Sequence, residues 1–152
     1  MNKFETMVET YKHKTTVSNF INKIVNALLI RSANHDNSKL ENPEVDIFTE
    51  YTPKLAKSTY GSEEYKQFLK EMKPTLDHHY ANNPHHPEYY PEGIKAMSLV
   101  DLIEMLCDWK AATMRHNDGD IFKSIEINQK RFGYSDELKQ ILINTVEDYF
   151  LQ

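Results

Sequence analysis

The sequence predicts an all-α fold, formed by a single helical domain over residues 1–152. Along most of the chain, apolar residues recur three and four positions apart, which is the spacing of one helical face. Only four glycines occur, and no sustained apolar–polar alternation rich in β-branched residues is present. A chain of 152 residues is long enough to bury one hydrophobic core without the support of disulfides or structural metal ions. We therefore expect one compact helical bundle without a β-sheet.

The first long helix is predicted over roughly residues 15–32. An earlier turn, or a helix continuous with it, is expected from Phe4 to Tyr11, and His13 is expected just ahead of the long helix. The apolar stripe of the long helix consists of Val17, Ile21, Ile24, Val25 and Leu28.

Capping residues predict where the later helices begin. Ser62 precedes two acids and an apolar-periodic run, which Pro74 interrupts before a further short helix. Ser98 with Asp101 forms a capping box at the start of a long helix. Two more helices are expected around residues 121–130 and 138–151.

Charge and composition limit the classes of function. A formal net charge of −5 makes broad binding to a nucleic-acid polymer unfavourable, since that affinity comes from lysine and arginine neutralising phosphates. The negative net charge does not exclude a small phosphate ligand, because bound cations make the local electrostatic potential positive. No apolar run is long enough to span a membrane, the start Met1–Glu5 lacks the features of a signal peptide, and the single cysteine cannot form an internal disulfide. We expect a cytoplasmic protein.

Histidines and acids are arranged in a pattern that indicates a metal site. Seven histidines occur, and two doublets, His78-His79 and His85-His86, border a turn within the segment 81–93, whose three prolines exclude regular helix and predict an ordered or semi-ordered loop. Imidazole and carboxylate suit divalent manganese, iron, cobalt, nickel or zinc. We therefore expect one or two such ions. His116 is expected on the surface.

Three acids add to this pattern at helical spacing. Asp101, Glu104 and Asp108 fall on one face of the helix that follows Ser98. Acids at this spacing are typical of a solvated face, and doubled histidines in a polar loop are typical of a solvated surface. Here, however, apolar residues border the acidic face, and buried acids need a partner or a metal. The bordering residues are Leu102, Met105 and Trp109.

In order and spacing, these residues resemble the HD-domain superfamily of metal-dependent phosphohydrolases. Its pattern is a histidine, a His-Asp pair that closes an apolar helix, optional middle histidines and a late aspartate. His13, His35-Asp36 and Asp108 stand in that order, and the segments His35–Lys39 and Leu106–Ala112 look like the family's His-Asp and terminal aspartate segments. The resemblance covers roughly residues 10–115. The chain is also similar to short bacterial and phage proteins of unassigned function.

The resemblance implies a ligand set and roles for its neighbours. One histidine of each doublet, His79 and His85 by preference, would face inward, while His78, His86 and Asp101 are possible ligands. Lys39 and Arg31 would neutralise substrate phosphate. Asp36 would anchor the attacking oxygen, with Lys39 and Glu104 beside it as catalytic residues, and Glu104 would orient a ligand histidine or act as a general base. The implied metal ligands are His13, His35, Asp36, His79, His85 and Asp108.

The implied activity is hydrolysis of a nucleotide or another small phosphate ester. Two alternatives stay open at the level of sequence. Some histidine-rich members of the superfamily use a di-iron centre to activate oxygen, and this chain has enough candidate ligands. A non-catalytic protein that binds a nucleotide or a protein partner is the other alternative. The Pro-rich histidine loop and Trp109 depart from the common pattern of the superfamily, so the resemblance does not identify the substrate.

Overall fold

The computed structural model describes residues 1–59, 62–115 and 119–151. These residues form helices, turns and loops, and none of them lies in a β-strand, so the predicted all-α class is confirmed. The chain divides into two units, Met1–His35 and Asp36–Gln152. The expectation for His116 lies outside the described residues.

The first unit is a single helix, α1, over Lys3–Asn34. The Asn2 side chain accepts from the backbone N–H of Glu5, and the Glu5 carboxylate accepts from the N–H of Asn2, which completes a capping box. The helix therefore includes both the segment from Phe4 to Tyr11 and the predicted long helix. His13 lies inside α1 rather than ahead of it, because the cap at Asn2 starts the helix at Lys3, ten residues before His13.

The second unit contains six α-helices among its described residues. The predicted starts at Ser62 and Ser98 are confirmed, since both side chains accept from the backbone N–H three residues later. Pro74 lies in the first turn of its helix, where its missing N–H costs nothing. No helix in the described ranges is both long and apolar enough to cross a bilayer. The helices are α2 (Glu44–Lys57), α3 (Glu63–Glu71), α4 (Lys73–Asn82), α5 (Leu99–Thr113), α6 (Ile121–Phe132) and α7 (Asp136–Tyr149).

Helix α2 is not predicted by the sequence patterns. Pro43 precedes it directly, and Pro53 lies exposed inside it. A proline inside a helix removes one backbone donor, so two prolines ten residues apart indicate a loop when the sequence is read alone. Tertiary packing overrides that indication: α2 packs against α4 and against the short 3-10 turn Asn37–Leu40.

The hydrophobic core of the second unit lies among its last three helices. Trp109 of α5 stacks on Phe132 of α6, with ring centroids 6.3 Å apart and planes nearly parallel. The Tyr134 hydroxyl donates to the backbone carbonyl of Ile125, so this buried phenol has a partner. The buried apolar residues of this core are Leu106, Ile121, Ile125, Tyr134, Leu142 and Val146.

Buried polar side chains gather elsewhere, on α2, α4, the loop after α4 and the first turns of α5. They include Glu44, Thr75, His79, Asn83, His85, Asp101 and Glu104. Buried polar groups cost free energy unless they are hydrogen-bonded or paired. The concentration of buried polar side chains here therefore indicates an organised polar site that is distinct from the hydrophobic core.

Asp101 ties α5 to the loop before it. Its Oδ2 accepts from the Ser98 backbone N–H at 2.8 Å, from the Ser98 hydroxyl at 2.8 Å and from the Tyr90 hydroxyl at 2.7 Å. The side chain is only 2% exposed. This aspartate therefore completes the predicted capping box, and the structure gives its carboxylate a structural role.

We predict that Asp101→Ala lowers the free energy of unfolding by about 2–4 kcal/mol, because it removes a cap and leaves the Tyr90 hydroxyl without its acceptor. Ser135→Ala, which removes the exposed cap of α7, is the matched control and should cost about 1 kcal/mol. Urea unfolding followed by circular dichroism, in the presence of a chelator, measures both. Equal losses would contradict the role assigned to Asp101.

Candidate metal centre

Four side chains of the second unit converge on one point. Asp36, His79, His85 and His86 each offer one ligand atom, and these atoms all lie within 4.8 Å of one another. His79 and His85 are 2% and 1% exposed, while Asp36 and His86 are partly buried. We call these four residues the histidine cluster.

Three distances within the histidine cluster match those between ligands of one ion. His79 Nε2 lies 3.0 Å from His86 Nε2 and 3.4 Å from Asp36 Oδ1, and His85 Nε2 lies 3.5 Å from the same oxygen. Two ligand atoms that are each about 2.1 Å from an ion lie about 3.0 Å apart at a right angle and about 3.4 Å apart at the tetrahedral angle. The donor set and its spacing therefore fit a divalent transition metal.

Asp36 is placed by an unusual backbone conformation. Its φ of 56° and ψ of 18° lie in the left-handed region, which aspartate tolerates better than most residues. The Lys39 N–H donates to the Asp36 carbonyl at 2.9 Å and starts the 3-10 turn Asn37–Leu40. The Lys39 ammonium lies 2.6 Å from Asp36 Oδ2 and 5.1 Å from the Phe48 ring centroid. Lysine thus holds one carboxylate oxygen while the other faces the histidines.

The end of α4 brings the doublets together. Asn83 follows the helix, and its Nδ2 donates to the His79 carbonyl at 2.7 Å. The Asn83 carbonyl in turn accepts from the His86 N–H at 3.1 Å, which closes a turn around Pro84. The His86 ring then lies between those of Tyr80 and His85, at centroid distances of 5.0 and 4.1 Å. The asparagine and proline between the doublets therefore fold the chain back onto α4.

Two buried carboxylates lie close to the Nδ1 atoms of histidines in the cluster. Glu44 Oε2 lies 2.8 Å from His79 Nδ1, and Glu44 Oε1 lies 2.7 Å from His78 Nδ1. On the other side, Glu104 Oε1 of α5 lies 3.1 Å from His85 Nδ1. A carboxylate on the Nδ1 of an imidazole that faces a metal through Nε2 is a common arrangement in metal sites.

Burial controls the charge of the cluster. Burial, with smaller contributions from neighbouring His85 and His79, lowers the pKa of His86 to about 3. Burial and then the Lys39 ammonium lower the pKa of His79, against the opposing effect of Glu44. Burial raises the pKa of Glu44, but hydrogen bonds from His78, His79 and Ser38 outweigh it, so its pKa is lowered overall. At neutral pH, His79 and His86 are therefore uncharged, which is the form that binds metals.

The other sequence candidates fall in different places. His13, Arg31 and His35 belong to the first unit, and their association with the cluster stays a prediction. Asp108 lies on α5, half-buried, and interacts electrostatically with His86. Asp101 is engaged at the α5 cap. Neither Asp108 nor Asp101 is one of the four described residues that form the histidine cluster.

The two doublets behave differently. His79 faces inward, as expected, while the His78 side chain is 42% exposed. Both His85 and His86 contribute to the cluster, where one of the two was expected. Neighbouring residues of a helix are rotated by about 100°, so only one member of a helical doublet faces a given side. That rotation applies to His78-His79 within α4, but His85-His86 lies in the turn after the helix.

Glu44 is the site residue that sequence reasoning missed, and it is fully buried. An acid in the first turn of a helix is ordinarily explained by the helix dipole, so its position carried no signal of a site. Ser38 and Asn83, which connect Glu44 to α4, were missed for the same kind of reason, because small polar residues in turns are common.

Comparison with known proteins identifies the family of the chain. A family model described as "Family of unknown function (DUF5662)" matches residues 2–148. Searches of curated proteins and of solved structures gave no significant match. Since the family model covers nearly the whole sequence, the chain belongs to the DUF5662 family.

Proposed function

We propose that this protein binds a divalent transition metal at the histidine cluster and uses it to hydrolyse a nucleotide or another small phosphate ester. The observation that carries the proposal is the convergence of three imidazoles and one carboxylate within 4.8 Å. The proposed place of action is the cytoplasm of a bacterial or phage-infected cell.

The donor chemistry favours one class of ion. Three nitrogen donors and one oxygen donor suit manganese, iron, cobalt, nickel or zinc better than magnesium or calcium, which prefer oxygen. A second ion would need further donors. The resemblance to HD-domain proteins assigns them to His13, His35 and Asp108.

Phosphate chemistry is supported by the charge beside the cluster. A bound divalent ion supplies Lewis acidity to a phosphoryl oxygen and to a water molecule. Lys39 supplies a cation next to Asp36, and its side chain is 34% exposed, so an anionic substrate can reach it. Arg31 is a second proposed phosphate contact. Glu104 lies close to His85, which favours a role in holding that ring over a role as general base.

An oxygen-activating iron protein is the second candidate, because histidine nitrogens outnumber carboxylates in the cluster. Iron content after aerobic purification, together with oxygen consumption, separates it from a hydrolase. Tight binding of nucleotides without turnover in the presence of any of the five metals would instead favour the non-catalytic alternative.

The doublet on α4 offers a direct test of which side chain binds the metal. His79→Ala should weaken binding of Co²⁺ or Zn²⁺ more than the roughly 10- to 100-fold caused by losing a residue that only supports a ligand. His78→Ala is the matched control from the same doublet and should cost less than His79→Ala. Isothermal titration of the chelator-treated protein measures both affinities. Equal losses for the two variants would argue against His79 as the ligand.

Single substitutions of Asp36 and Lys39 should separate the roles of these two residues. Asp36→Ala should abolish metal-dependent phosphoester turnover. Lys39→Ala should keep the metal, because removing a cation 2.6 Å from Asp36 does not weaken attraction for another cation. It should lower kcat/KM about 10- to 100-fold, the range expected for losing a charge-assisted contact of about 1.5–3 kcal/mol.

Turnover is measured with a panel of nucleotides and small phosphomonoesters, and metal content by elemental analysis of the same samples. Loss of the metal from Lys39→Ala would contradict its assignment to the substrate. Full activity of Asp36→Ala with stoichiometric metal would contradict the proposed centre.

A further inference from the structure

Glu44 is a fully buried carboxylate that gathers three polar groups from other parts of the second unit. His78 Nδ1 lies 2.7 Å from one oxygen, while His79 Nδ1 lies 2.8 Å and Ser38 Oγ 2.9 Å from the other. One side chain at the start of α2 therefore contacts both members of the doublet on α4.

The direction of these hydrogen bonds follows from the neighbours. Asn83 Nδ2 donates to the His79 carbonyl, which can only accept, and this fixes which end of the amide is nitrogen. The second hydrogen of the same Nδ2 goes to Ser38 Oγ at 2.8 Å, so the serine hydroxyl donates its own hydrogen to Glu44. Asn83 Nδ2 and Ser38 Oγ also lie 3.1 and 3.3 Å from His79 Nδ1, but their hydrogens already go to the other, closer acceptors, which leaves Nδ1 to donate to Glu44. A serine donor and the N-terminus of α2 both favour an ionised Glu44.

An ionised carboxylate only accepts hydrogen bonds, so each imidazole that contacts it must carry its hydrogen on Nδ1. With its hydrogen on Nδ1, a neutral imidazole keeps the lone pair on Nε2. The Nε2 of His79 is the atom that lies 3.0 Å from His86 Nε2 and 3.4 Å from Asp36 Oδ1. The lone pair therefore faces the histidine cluster.

We infer that Glu44 is a positioning residue, which holds His79 as the Nδ1–H tautomer with Nε2 facing the cluster and holds the other ring of the doublet, His78, outside it. The inferred tautomer of His79 does not depend on the proposed function. Its consequence for metal affinity rests on the proposed function.

The first measurement needs no metal and no substrate. In uniformly ¹⁵N-labelled protein kept metal-free with a chelator, long-range ¹H–¹⁵N correlation distinguishes a protonated ring nitrogen from one with a lone pair. His79→Gln identifies the resonances of His79 by their loss. The expected spectrum has a protonated Nδ1 and a lone pair on Nε2 at His79. The opposite tautomer in the wild-type protein would overturn the inference.

The second measurement uses Glu44→Gln, which keeps the shape of the side chain but replaces one accepting oxygen with a donating amide. We expect the His79 tautomer to become mixed and Zn²⁺ affinity to fall about 10- to 100-fold. Glu71→Gln is the matched control, since Glu71 also accepts two side-chain hydrogen bonds, but from Tyr51 and Gln67 rather than from histidines. It should change neither measurement.

A folded Glu44→Gln variant with wild-type tautomer and wild-type Zn²⁺ affinity would overturn the inference. If this variant does not fold, the wild-type spectrum still decides the tautomer. A wild-type protein that shows the expected tautomer but binds no ion would overturn the proposed function and leave the assignment of Glu44 standing.

Discussion

The hydrogen bond between Glu44 and His79 is the contact on which the rest of the candidate site depends. It joins the first turn of α2 to the last turn of α4, and both side chains are almost completely buried. Removing Glu44 would leave the buried Nδ1–H of His79 without its acceptor, and removing His79 would take one donor from the buried Glu44 carboxylate, and both changes are expensive in a low-dielectric interior. Because the bond occupies Nδ1, it also decides which nitrogen of His79 faces Asp36. The Glu44 carboxylate therefore both connects α2 to α4 and sets which nitrogen of His79 is available to the proposed metal.

In the second unit, the hydrophobic core and the candidate metal centre occupy different places. The apolar residues that α5, α6 and α7 enclose supply hydrophobic stabilisation, while the buried polar groups concentrate on α2, α4, the loop after α4 and the first half of α5. Glu104 and Leu106 show the division within one helix, because the first lies beside His85 and the second lies in the core. A rigid apolar support of this kind allows neighbouring residues to hold costly buried imidazoles and carboxylates in place.

Local signals predicted much of the fold. Ser62 and Ser98 marked helix starts because capping depends on residues only three positions apart, and the resemblance to HD-domain proteins favoured His79 as the inward member of its doublet. Glu44 could not be found this way, because its partners lie 34 and 35 residues later in the chain. The place of His86 depends on a turn whose path is set by Asn83 contacts with α4. Sequence periodicity does not encode such long-range hydrogen bonds.

The central claim is that the histidine cluster is the metal site of this DUF5662 protein. The most direct test is a crystal structure of the zinc-loaded protein with anomalous diffraction recorded on both sides of the zinc edge. The account predicts a strong anomalous peak about 2.0–2.2 Å from the Nε2 atoms of His79 and His86 and from Asp36 Oδ1. A zinc peak bound only elsewhere, or no peak at the cluster in fully loaded crystals, would contradict the account.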